Sequence, residues 1–124
     1  MSLQTLMENH LGTGWGVFYV EPTIVALCIE MYSKALASNL DGTFRATDFG
    51  HNSKKLIVEY QNRLPLFARI AADAEMMDLI AEYQKTMDVK YGEMYVKAPK
   101  SEQAQLIALI HELREELCGR TGLR

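Results

Sequence analysis

Cysteine is scarce in this chain: two residues, Cys28 and Cys118, among 124. They lie far apart and form neither a CxxC pair nor the clustered spacing of a zinc site. Each sits in an apolar stretch with helical spacing, where cysteine behaves as a small hydrophobe. Both are therefore expected to be free and buried, as suits a reducing compartment. Long hydrophobic runs are missing too. The longest, Ile24 to Ile29, is far too short to span a bilayer. Met1 to His10 has neither the basic start nor the apolar centre of a secretory signal. The expected location is the cytoplasm, with no membrane partner. A strong charge of one sign is also absent, since 13 basic and 16 acidic residues leave a net charge of −3. That disfavours nucleic acid as a partner, because its binders usually carry a basic excess.

What is present reads as an ordinary globular chain. Hydrophobic residues make up 48% and charged residues 23%, close to the globular norm. The length fits one domain over residues 1–124. A chain of this size buries roughly two-thirds of its unfolded surface, enough to fold without cross-links.

The first residues, Ser2 to Asn9, have the spacing of a short helix. Gly12, Gly14 and Gly16 then interrupt helix, and Val17 to Val20 is β-branched and aromatic. With no partner strand in sight, residues 11–21 are expected to form a short non-helical segment packed over helices. Pro22 is suited to a first helical position. From there Ile24, Leu27, Cys28, Met31 and Ala35 form one stripe, and Val25, Ile29, Tyr32 and Leu36 a second beside it. So wide an apolar face predicts a central helix ending at Asn39-Leu40-Asp41-Gly42. Ser53 is the expected N-cap of a helix carrying Leu56, Ile57, Tyr60, Leu64, Phe67 and Ala71. Pro65 must kink it or split it in two. Asp73 is suited to cap the next helix, where Met76, Ile80, Tyr83 and Met87 share a face and Glu82 is spaced to pair with Lys85. Tyr91-Gly92 should end it, and Met94 to Pro99 connects onward. Ser101 is the expected cap of a last helix, with Glu102 in its first turn, Leu106, Ile110, Leu113 and Leu117 on one face, and an end at Cys118-Gly119. The resulting class is all-α, a small antiparallel bundle of four to five helices.

No reactive constellation emerges. The three N-terminal glycines could form an anion nest, but a dinucleotide fingerprint needs a strand before them and a helix directly after, and the order here differs. They are expected to make a structural turn that folds Trp15 onto the core. His10, His51 and His111 are the only histidines. His111 and Glu115 lie four apart on one helix face, which is common on solvated helices and insufficient for a metal. His51 needs a partner and a cleft to act as acid or base, and the sequence shows neither. No catalytic residue, metal or cofactor is assigned.

Charge is uneven along the chain. Residues 45–69 carry five basic against two acidic side chains and form its only basic stretch. Arg45, His51, Lys54, Lys55, Arg63 and Arg69 are therefore the candidates for an anion or an acidic partner. The competing expectation is a solvated face on which Glu59 pairs with Lys55 and Arg63. Seven methionines and a widened apolar stripe on the last helix leave surplus apolar surface. Met76, Met77, Ile107 and Leu109 are the candidates for an interface. The leading expectation is a non-enzymatic helical module that binds another protein, foremost itself as a homodimer, and serves as a regulator, inhibitor or assembly factor. The first alternative is a binder of a small phosphorylated ligand or nucleotide, conceivably an enzyme, using the basic segment. The second is a helix-turn-helix DNA regulator spanning Thr47 to Arg69, against which Pro65 and the net acidity both weigh.

Overall fold

The computed structural model describes residues 20–88 and 102–122. Within them the chain is all-helical. Its helices are α1 (Pro22–Leu40), α2 (Ser53–Glu59), α3 (Pro65–Ala72), α4 (Ala74–Asp88) and α5 (Gln103–Thr121), with a 3-10 turn at Ala46–Asp48. The glycine cluster, Trp15, Val17 to Tyr19, Tyr91-Gly92, Met94 to Pro99 and Ser101 lie outside the described residues.

Helix α1 is the axis of the bundle, packing on α5, α4 and α2. Its bounds follow from local chemistry. Pro22 opens it, the Glu21 carboxylate accepts from the Thr23 amide, and the chain turns extended at Asp41. The Val20 amide donates to Gln103 Oε1 at 2.8 Å, and Gln103 Nε2 donates to the Val20 carbonyl at 2.7 Å. This double bond between buried groups holds the start of α1 against the start of α5. Further along, Tyr32 of α1 lies in the field of Arg114 and Cys118 of α5, so the two helices run in the same sense. Gln103 Nε2 also reaches the hydroxyl of Tyr83, near the end of α4, so α4 runs against both.

Pro65 splits the middle of the chain. Helix α2 stops at Glu59, Leu64 is extended as a residue before proline prefers, and Pro65 opens α3. Asp73 caps α4 through its side chain, which accepts from the Met76 amide at 3.1 Å. All five helices contribute to one apolar core, with Ile29, Leu36, Leu56, Ile57, Phe67, Ile80, Tyr83, Leu106 and Leu113 fully enclosed.

Three boundary expectations need correction. The cap of α2 is Asn52, whose side chain accepts from the Lys55 amide, and Ser53 is the first helical residue. Either residue type caps well, so two adjacent candidates cannot be separated by type alone. Glu102 is not in the first turn of α5 but directly precedes the helix. Helix α5 also runs through Gly119 and ends at Gly122, which is left-handed at φ 75° and donates its amide to the Cys118 carbonyl. A glycine inside an exposed helix costs only about 1 kcal/mol, less than the helix gains by continuing. Neither cysteine is in a disulfide, and Cys118 is half-buried where full burial was expected. Burial raises the Cys28 thiol to about 11, which leaves it protonated and unreactive.

Candidate functional site

The site begins with a carboxylate on the core side of α1. Glu30 lies among Ala26, Ile29, Ser33 and Ala37 and is buried. A carboxylate so placed needs donors. One is Lys34, a turn further on, at 3.4 Å from Oε2. The other is His51, whose Nδ1 lies 2.7 Å from Oε1. Because a carboxylate only accepts, His51 donates from Nδ1. Its Nε2 then holds either a lone pair or, in the imidazolium, a second donor. Nε2 makes no hydrogen bond among the described residues, and the side chain is 48% exposed.

The backbone presents His51 firmly. Gly50, left-handed at φ 54°, turns the chain before it, and the Asn52 amide closes the turn onto the Phe49 carbonyl at 2.9 Å. Just beyond, the Ser53 amide donates to Gln84 Oε1 at 2.7 Å and Gln84 Nε2 donates to Ser53 Oγ at 2.8 Å. This buried glutamine clasp fastens the start of α2 to α4.

Between α2 and α4 runs a groove of about 380 Å³ lined by His51, Asn52, Lys54, Ala81, Gln84 and Lys85. Asn52 and Gln84 spend their amide oxygens on backbone donors, and both lysines are donors by nature. The groove is thus rich in donors and has no carboxylate in its lining. A second groove, of about 370 Å³, is lined by Glu75, Asp78, Leu79, Glu82, Glu102 and Gln105 and has the opposite character.

The six cationic candidates do not converge. Only His51 and Lys54 reach the donor groove, joined there by Lys85, which sequence reasoning did not nominate. Arg63 lies beyond the end of α2, so it cannot share a helix face with Lys55 and Glu59; it pairs instead with Asp41 at 3.6 Å and stands over the Tyr60 ring. Lys55 covers Phe49, its nitrogen 5.6 Å from the ring centre. Arg69 donates to Glu112 at 2.6 Å and ties α3 to α5. Arg45 is exposed and has no ion pair among the described residues.

The apolar candidates are corrected as well. Met77, Ile107 and Leu109 are buried within the chain itself and Met76 is half-buried, so the wide stripe on α5 is spent on the core. The exposed large apolar side chains among the described residues are instead Leu27, Met31 and Val58, at 41%, 58% and 46% exposure. Leu27 and Met31 stand one turn apart on the outer face of α1.

A different cluster closes the far end of α1. Asp41 accepts from the Thr43 amide at 2.9 Å, the Thr43 hydroxyl at 2.6 Å and the Tyr60 hydroxyl at 2.8 Å. These bonds, those from Thr43 above all, hold its carboxyl down at about 2. Phe44, Phe49 and Tyr60 pack around it, with ring centres 5.7 to 6.3 Å apart.

Among the described residues, fold and site together define a small helical bundle with a donor-lined groove and an exposed apolar ridge. No protein-family model, curated protein or solved structure matches the chain.

Proposed function

We propose that this chain is a non-enzymatic helical interaction module of the cytoplasm, a regulator, inhibitor or assembly factor, that pairs with a second copy of itself. The supporting observation is the outer ridge of α1. Leu27 and Met31 place two large, substantially exposed apolar side chains on the central helix, which packs on α5, α4 and α2. Methionine on such a surface adapts to its partner's shape. A two-fold axis over this ridge would set each Met31 against the other copy, the self-complementary geometry of most dimers. No helix among the described residues is long and apolar enough to cross a membrane, so the ridge is not part of a span.

Sedimentation of the wild type and of a Leu27→Asp, Met31→Asp variant tests this reading. A concentration-dependent dimer that the double substitution abolishes, with helical content unchanged, supports it. A wild type that stays monomeric at high concentration removes it. The phosphorylated-ligand reading is favoured by one observation, the donor groove at His51. The DNA reading has the least support, because Arg63 and Arg69 are each engaged by a carboxylate.

A further inference from the structure

We propose that the groove between α2 and α4 binds a small oxyanion, a phosphate group above all, with His51 as its pH-responsive wall. The proposal takes up the phosphorylated-ligand reading and is independent of the α1 ridge, so either can fail alone. Three lining side chains present donors, Asn52, Lys54 and Lys85, and His51 adds a fourth at Nε2 when its ring is protonated. Asn52 keeps its NH2 for a ligand because its oxygen already accepts from the Lys55 amide. Among the described residues both lysines are held only by exposed pairs, Lys54 with Asp78 at 3.8 Å and Lys85 with Glu82 at 2.8 Å. Exposed pairs of this kind are weak, so a dianion between the two ammonium groups competes for them. Phosphate oxygens accept several charge-assisted bonds at once, which a groove lined with donors can supply and a chloride ion cannot exploit.

The buried Glu30 gives the site its switch. It holds Nδ1 and leaves Nε2 to gain or lose a proton at the exposed edge of the ring. The charged groups around His51 are Glu30 and Lys34 from α1, Lys54 from α2 and Lys85 from α4, with Asp78 and Glu82 behind the two lysines. Only the imidazolium presents a donor at Nε2, so a bound anion and the proton at that atom favour each other, and binding tightens with acid.

Sulfate is the cleanest probe, because its own charge is constant over that range. Titrating the labelled protein with sulfate at fixed ionic strength, at about pH 5 and about pH 8, should give saturable NMR shifts at His51, Ala81 and Gln84 that are stronger at the lower pH. Lys54→Met and Lys85→Met should each weaken binding about threefold to tenfold. His51→Asn should abolish the pH dependence, a change that lost packing would not produce. Arg45→Gln, outside the groove, should have no effect. Inorganic phosphate and glycerol phosphate then separate the sources: tighter binding of the ester assigns the groove to phosphorylated molecules, and equal binding to the free anion. Shifts that never saturate, or that Arg45→Gln weakens as much as Lys54→Met does, overturn the proposal.

Discussion

Two carboxylates on α1 and its cap make an instructive pair. Glu30, in the middle of the helix, is buried and among the described residues holds two partners, one of which is an imidazole whose outer nitrogen makes no hydrogen bond there. Asp41, at the end of the helix, is wrapped by Thr43, Tyr60 and Arg63, and each of these donors also serves the local fold. The Asp41 cluster is closed: it fastens a loop and three aromatic rings to the end of α1. The Glu30 cluster is open, because its outermost member faces a groove. The exposed ridge of Leu27 and Met31 also lies in the middle of α1, on its outer face, whereas Glu30 is turned to the core.

Substitutions should separate the two clusters. The largest effect is expected at Tyr60, whose ring is buried against Phe44 and Phe49 and whose hydroxyl serves Asp41. Tyr60→Ala should lower stability by about 3–5 kcal/mol in denaturant titrations. If the groove is as separate as the geometry indicates, the milder Tyr60→Phe should leave anion binding untouched. Next comes Gln84→Ala, which strips a buried amide from Ser53, leaving its hydroxyl unanswered and its N–H with only the longer bond to the His51 carbonyl at 3.2 Å. It should cost about 1–3 kcal/mol, and slower hydrogen exchange at the start of α2 in the wild type than in the variant would confirm the clasp.

Acid should distinguish the clusters a second way. The Asp41 carboxyl lies at about 2 in the folded chain against an ordinary 3.8. A depressed value means that the folded state favours the carboxylate. Its contribution is therefore complete above about pH 4 and is lost as the pH falls towards 2. Wild-type unfolding midpoints should drop through that window, and those of Asp41→Asn, already lower, should drop less. The smallest effect belongs to the open cluster. His51→Asn should change stability by no more than about 1 kcal/mol, since the ring is half exposed and water can reach Glu30 once it is gone. A loss as large as that of Tyr60→Ala would erase the contrast.

Much of the fold was legible in the sequence because its signals are local. Pro22 and the Asn39-Leu40-Asp41-Gly42 stop bound α1 at the residues expected, and Pro65 and Asp73 divide the chain where their backbone chemistry requires. The Glu82–Lys85 pair forms as its spacing predicts, at 2.8 Å. What escaped depends on distant partners. Nothing near Glu30 in the chain announces that a histidine in a loop after the next turn will reach it, although a carboxylate among Ala26, Ile29, Ser33 and Ala37 was a signal that could have been weighed. Lys85 joins His51 only because the Ser53–Gln84 clasp brings α2 onto α4. The apolar width of α5 indicated burial without saying against what. Ile107 and Leu109 turned out to be buried in the chain's own core, while Leu27 and Met31 on α1 stand exposed among the described residues.

The proposed pairing of two copies through the outer ridge of α1 is tested most directly by cross-linking at position 31. A Met31→Cys substitution in a Cys118→Ser background, treated with a mild oxidant, places a thiol on the ridge while Cys28 stays buried. Val58→Cys, an equally bare apolar position on α2, serves as the control. Rapid formation of a covalent dimer through position 31, and not through position 58, is the predicted result. No dimer at position 31, or equal yields at both, would contradict the account.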